Sequence, residues 1–212
     1  MTAGEPTATA QAQASRVPSG LISAPDGPTH TWPTTLRDYP EWHLGRTRYG
    51  VWVAMVTQPE LLTWWHAARD ALADLLHTTG TRQPHLTVFV CGFESPTREH
   101  ADDFTPARLA GQIGQLQRLA LAACQLPLGP VDSFASAAFL GVRDPDGQLA
   151  RWRQALATTS REIRQQAYQP HITLGLYRHR LAADLIRQRL ATLPPPPTTL
   201  TVSALEYVTY AV

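Results

Sequence analysis

The sequence predicts an α+β chain folded as two lobes, two pseudo-symmetric halves that each run β-α-β-α-β. Three observations predict it. Short apolar runs suited to strands alternate with stretches of helical spacing. The order of these elements occurs twice along the 212 residues. The second strand of each half opens on nearly the same peptide, QPHLTVFV at 83–90 and QPHITLGL at 169–176. Outside that peptide the halves share negligible sequence, so the repeat is one of architecture.

The elements follow in order. Residues 1–35 are rich in Ala, Thr, Pro, Ser and Gly without an apolar period, the composition of a flexible tail that buries too little to offset ordering. The globular part is then 36–212. Its lead-in, 36–47, packs through Tyr39 and Trp42. Residues 49–57 read as a buried strand. Thr57, with Glu60 three residues on, matches a capping box. Leu61, Trp65, Ala68, Leu72 and Leu75 hold helical spacing up to Gly80. A strand covers 85–93. Thr105 and Pro106 open a helix with Leu109, Ile113, Leu116 and Ala120 on one face. The prolines in 126–134 suit a weak strand near a sheet edge. Residues 137–143 form the next strand. Asp144 and Pro145 open a helix carrying Leu149, Trp152, Leu156 and Ile163, followed by a strand at 171–177. A short helix, 182–193, is stopped by prolines 194–197. One long strand, 199–211, ends the chain. The lobes are expected at about 48–134 and 135–212.

Composition narrows the function. A formal net charge of +1 argues against a broad basic surface for duplex nucleic acid. Cys91 and Cys124 read as two reduced thiols. No apolar run approaches the ~20 residues of a membrane span. No basic region followed by an apolar core opens the sequence, so a cytoplasmic location without membrane association is expected. Neither a G-x-S-x-G elbow nor a G-x-x-x-x-G-K-[ST] loop is present.

The repeated peptide carries chemistry. On a strand, residues i and i+2 face the same way, with Cα atoms about 6–7 Å apart. His85 and Thr87 therefore project together, as do His171 and Thr173, while Leu86, Val88, Val90, Ile172, Leu174 and Leu176 face a core. If the two lobes oppose each other, the polar faces make a cleft with two imidazoles and two hydroxyls. One neutral histidine can take a proton from an attacking oxygen and one protonated histidine can give a proton to a leaving oxygen. The threonines can donate to phosphate oxygens. No metal or other cofactor is expected, because zinc needs three or four converging ligands and Cys91 lies about 20 Å along the strand from His85. A third His-x-Thr, His77 to Thr79, falls where a helix should end and reads as a terminus. Trp64 and Trp65 read as core and boundary residues.

The paired PHLTVFVCG and PHITLGLY resemble the twin motifs of the 2H phosphoesterase superfamily, which includes bacterial RNA 2′,3′-cyclic phosphodiesterases, also called 2′-5′ RNA ligases. The resemblance covers about 48–211. It implies mainly antiparallel sheets around a central cleft. It implies metal-independent opening of 2′,3′-cyclic phosphates, on RNA ends or nucleotides, to 2′-phosphates, and it allows 2′-5′ RNA ligase activity. By motif position, His85 and His171 are its acid–base pair, with neither assigned to one role, and Thr87 and Thr173 hold the phosphate. Around the cleft, Phe89 and Tyr177, on the strand parity of the histidines, are candidates to contact substrate with Arg178. A monomer is expected. Two alternatives stand beside this reading. One is the same chemistry on a small cyclic nucleotide or a 2′-5′ oligonucleotide, which the near-neutral charge favours slightly. The other is a nucleotide-binding module without turnover.

Overall fold

A computed structural model describes residues 20–78, 83–119, 122–164 and 166–211. Within them lie α1 (Pro40–His43), β1 (Arg48–Met55), α2 (Pro59–Ala71), β2 (His85–Glu94), β3 (Asp103–Phe104), α3 (Pro106–Arg118) and β4 (Cys124–Ser133). The second half holds β5 (Ala137–Val142), α4 (Gln148–Ala157), β6 (His171–Leu176), α5 (Ala183–Ala191), β7 (Thr199–Val202) and β8 (Glu206–Ala211). The strands run β7-β4-β5-β6-β2-β1-β8, antiparallel throughout, with the two-residue β3 added parallel to β2. This is the α+β, mainly antiparallel architecture expected.

The halves are woven together rather than divided at 134/135. β4 pairs with β5 and β7, so it belongs to the second lobe's sheet. The expected strand 199–211 is two strands. β7 stays on β4, while β8 crosses back to pair with β1. The helices cross as well: α2 packs on β6 and α4 packs on β2. Each half thus covers the His-x-Thr strand of the other. Pro130 sits in the register shift between Leu128 and Val131, which lets a proline-containing strand occupy an interior place.

Several element ends differ from the sequence reading for local reasons. The cap of α2 is Gln58, not Thr57, and its side chain bridges to β7, donating to the Thr199 carbonyl and accepting from Thr201 N. The helix stops at Ala71 because 75–78 turn to meet the end of β6. Leu76 bridges Tyr177, and His77 N donates to the Leu176 carbonyl. Helix α4 ends at Ala157, so Ile163 lies beyond it, where its N–H donates to the Val90 carbonyl. Gly80 and Ala120 fall outside the described residues.

The N-terminal expectation needs correction. Residues 20–35, read as part of a flexible tail, lie against the body. Ile22 is fully buried in the main core. Its N–H donates to the Ser133 carbonyl, and Arg187 donates to its own carbonyl. Thr31 Oγ1 donates to the His179 carbonyl and accepts from Leu181 N. One apolar residue and a set of satisfied backbone groups tie down a segment whose average composition argues for freedom. Residues 1–19 lie outside the described residues. In the lead-in, Trp42 packs on Tyr49 and Phe93, at ring distances of 5.1 and 4.7 Å.

The core is one contiguous cluster between the helices and one face of the sheet. Trp52, Leu86, Val88, Phe89, Leu140, Ile172 and Leu174 belong to it, with Trp64 and Trp65 of α2 and Trp152 and Leu156 of α4. The other face carries the repeated motifs.

Candidate active site

β2 and β6 meet at a single pair, Leu86 opposite Ile172. In an antiparallel register that pair sets His85 opposite Thr173 and Thr87 opposite His171. All four side chains share one face, half-buried, while Leu86 and Ile172 fill the core behind them. The two histidines occupy diagonal positions, for which sheet geometry gives a separation of about 7–8 Å. Beside the threonines the same face is apolar. Val53 pairs with Thr87 and Phe139 with Thr173, and both are buried. The antiparallel pair gives the site an approximate two-fold axis through Leu86 and Ile172.

The shared QPH explains how each imidazole is held. His85 Nδ1 lies 2.7 Å from the Gln83 carbonyl, and His171 Nδ1 lies 2.6 Å from the Gln169 carbonyl. A carbonyl only accepts, so Nδ1 carries the proton in both rings and Nε2 is directed to chemistry. The proline between fixes the backbone bend that brings the glutamine carbonyl within reach. Tyr210 of β8 places its hydroxyl 2.8 Å from His85 Nε2. An open groove beside it is lined by Met55, Gln83, Val208 and Thr209.

The two imidazoles sit in different surroundings. His171 packs edge-on against Phe134, at 5.0 Å between ring centres, and beside Phe139, at 5.1 Å. Burial lowers its pKa below the ordinary histidine value. The carbonyl of Gln169 opposes that, and the positive charges of Arg164 and His85 add to the lowering. Near neutral pH His171 is therefore the neutral imidazole, ready to accept a proton.

A β-bulge follows each motif at the same place. In β2 the register slips between Thr87 and Phe89, leaving Val88 extra; in β6 it slips between Thr173 and Gly175, leaving Leu174 extra. A bulge inverts the alternation of everything beyond it. This corrects two expectations. Phe89, one residue past its bulge, turns into the core and is 1% exposed. Tyr177, three past its own, is equally buried and its hydroxyl meets Ser133 Oγ at 2.8 Å. Neither reaches the cleft. Cys91 also faces the core, with Sγ 3.5 Å from Gln112 Oε1, and burial raises its pKa far above the ordinary thiol value. Arg178 is exposed and occupied elsewhere, its Nε and Nη2 donating to the Asp74 carbonyl past the end of α2. His77 Nε2 donates to the Thr34 carbonyl, a structural bond.

The bulges free backbone groups, and the opposite half satisfies them. Trp65 Nε1 donates to the Thr173 carbonyl and Tyr168 Oη to the Thr87 carbonyl. Arg153 Nη1 donates to the Val88 carbonyl, and Glu162 Oε1 accepts from Val90 N. Glu162 and Arg153 form an ion pair at 2.5 Å, and Arg153 lies 3.7 Å from the centre of the Tyr168 ring. The chain leading into His171 is thus fastened along β2 at Glu162, Ile163 and Tyr168. Sequence reading passed over Arg153, Glu162, Arg164, Tyr168 and Tyr210. Their only sequence signal is a cluster of charged and aromatic residues just ahead of the second motif, and a tyrosine near the chain's end.

Comparison with known proteins gives a family and a fold. A family model described as the 2′-5′ RNA ligase superfamily matches residues 57–212. A search of curated proteins finds no match. Among solved structures, Escherichia coli LigT in its apo form is similar, with 17% identity over 79% of this chain and 98% of LigT, at a TM-score of 0.51. A protein of unknown function from Agrobacterium tumefaciens has 16% identity over 84% of this chain and 91% of its own, at 0.56. LigT complexed with 3′-AMP gives 16% identity, 79% and 99% coverage, and 0.50. At these identities the likeness is one of fold.

Proposed function

Because the chain belongs to the 2′-5′ RNA ligase superfamily of two-histidine phosphoesterases, we propose that it is a metal-independent phosphodiesterase that opens 2′,3′-cyclic phosphates of nucleotides or RNA ends to 2′-phosphates. The observation that carries this reading is the register of β2 on β6, which sets each motif's histidine against the other's threonine on one face.

In this scheme a water oxygen attacks phosphorus while its proton passes to Nε2 of His171, the imidazole that burial keeps neutral. The bond from phosphorus to O3′ breaks on the opposite side, and His85 gives that oxygen its Nε2 proton. The products are a 2′-phosphate and a 3′-hydroxyl, with the proton count balanced. Thr87 and Thr173 hydroxyls donate to the non-bridging oxygens, where charge gathers. Each proton transfer contributes about 10² to 10⁴ in rate, roughly 3 to 5.5 kcal/mol. The Nδ1 bonds to Gln83 and Gln169 hold both rings at no reorganisation cost.

The test is product analysis. The protein is incubated with the four nucleoside 2′,3′-cyclic phosphates, with and without EDTA, and 2′- and 3′-monophosphates are resolved by phosphorus NMR. EDTA-resistant formation of the 2′-phosphate is expected. Formation of the 3′-phosphate, or loss of turnover in EDTA, contradicts the scheme, and absence of turnover on all four leaves a binding role or another phosphoester substrate.

A further inference from the structure

Arg164 is unusual among the charged groups around the cleft. Its side chain is 20% exposed, yet its guanidinium makes no hydrogen bond to any other described residue. Its closest opposite charge is Glu162 Oε1, at 3.7 Å from Nε. Glu162 already spends its oxygens on Val90 N and Arg153. The remaining support is a tyrosine face: the guanidinium carbon lies 5.1 Å from the centre of the Tyr168 ring. A half-desolvated cation whose donors meet no acceptor within hydrogen-bond distance among the described residues is costly to keep.

Its neighbours fix where it sits. Ile163 N donates to the Val90 carbonyl and Glu162 accepts from Val90 N, so the chain just before Arg164 runs along β2 beside the first motif. Tyr168, on which it rests, donates to the Thr87 carbonyl. Its charge acts on the His171 imidazole and on the Tyr49 hydroxyl, which come from β6 and β1 on either side. Arg164 therefore lies against Tyr168 and next to the stretch that runs along β2 at Val90, beside the first motif.

We propose that Arg164 is a further substrate-binding residue of this cleft, whose guanidinium hydrogen-bonds a non-bridging oxygen of the phosphoryl group between the two histidines. A planar guanidinium suits two phosphate oxygens at once, and among the described residues its donors make no hydrogen bond. The inference rests on the phosphoesterase reading above, and its test separates the two.

Binding of adenosine 2′-monophosphate and kcat/KM for adenosine 2′,3′-cyclic phosphate are measured for the wild type, Arg164→Met and Arg164→Lys, with a melting curve for each. Methionine keeps much of the apolar stem. Its dissociation constant is expected to rise, and kcat/KM to fall, by roughly 10- to 100-fold, the loss of a charge-assisted hydrogen bond. Lysine keeps the charge without the fork and should fall between methionine and wild type. If Arg164→Met does not fold, the lysine variant decides. Values within threefold of wild type, in Arg164→Met or in a lysine variant standing alone, assign Arg164 to structure and overturn the inference while leaving the two-histidine reading intact. A wild type that neither binds the product nor opens the cyclic phosphate overturns both.

Discussion

Glu162 joins Ile163 and Tyr168 in holding the segment that leads into His171, and Glu162→Ala removes two of its bonds at once. Glu162 is 12% exposed; Oε1 accepts from Val90 N at 3.0 Å and Oε2 pairs with Arg153 Nη2 at 2.5 Å. Truncation removes the acceptor of the Val90 N–H and strips the counter-charge from Arg153 and Arg164. A hydrogen bond to a charged group is worth about 1.5–3 kcal/mol, and an orphaned buried donor costs about 1–3 kcal/mol. Arg153 is 21% exposed, so water recovers part of the loss. The net is roughly 3 kcal/mol. For a chain of this size each kcal/mol moves Tm by about 2–4 °C, so a fall of about 6–12 °C is expected in a calorimetric or circular-dichroism melt. Glu162→Gln keeps an acceptor for Val90 and should lose about half as much. A fall below about 2 °C for Glu162→Ala refutes the claim that this carboxylate fastens the loop to β2.

Other consequences concern the N-terminal segment and the histidine environment. Ile22→Ala removes a fully buried side chain and should cost about 2–5 kcal/mol, read as a shift in urea midpoint; a cost under about 0.5 kcal/mol returns residues 20–35 to the role of a tail. His171 has a folded pKa below its unfolded value near ~6.5, so the unfolded chain binds the proton more readily. Its share of stability is full above that value and is lost as pH falls. Wild type should therefore lose more stability than His171→Asn between pH 7.5 and 5.5, and an equal or larger loss in the variant contradicts the assignment. In catalysis the same lowering places the acidic limb of the kcat/KM profile below the ordinary histidine value. A limb above it refutes His171 as the base.

The motifs were legible because their information is local. Two strands opening with Pro-His-x-Thr announce where the imidazoles and hydroxyls point, and the alternation holds through Val88 and Leu174. It fails one residue later. Nothing in VFVCG or LGLY marks a bulge, and so Phe89 and Tyr177 were assigned to the wrong face. The bulges exist because the opposite half supplies Trp65, Tyr168, Arg153 and Glu162 to the backbone groups they free. That is long-range information. The division of lobes was illegible for a similar reason: periodicity identifies 199–211 as strand-like, while the break at 203–205 and the crossing of β8 onto β1 depend on partners far away in sequence. Arg164 has no helical or strand period, and what makes it notable is that its guanidinium makes no hydrogen bond to another described residue while Glu162 stands at 3.7 Å.

The central claim is that two histidines on adjacent antiparallel strands act on one phosphoryl group. The most direct measurement is kcat/KM for a nucleoside 2′,3′-cyclic phosphate in wild type, His85→Ala and His171→Ala, each checked for an unchanged fold. The account predicts that each substitution alone lowers kcat/KM by at least about 10², since either missing proton transfer removes that much. Activity near wild type in either variant contradicts it.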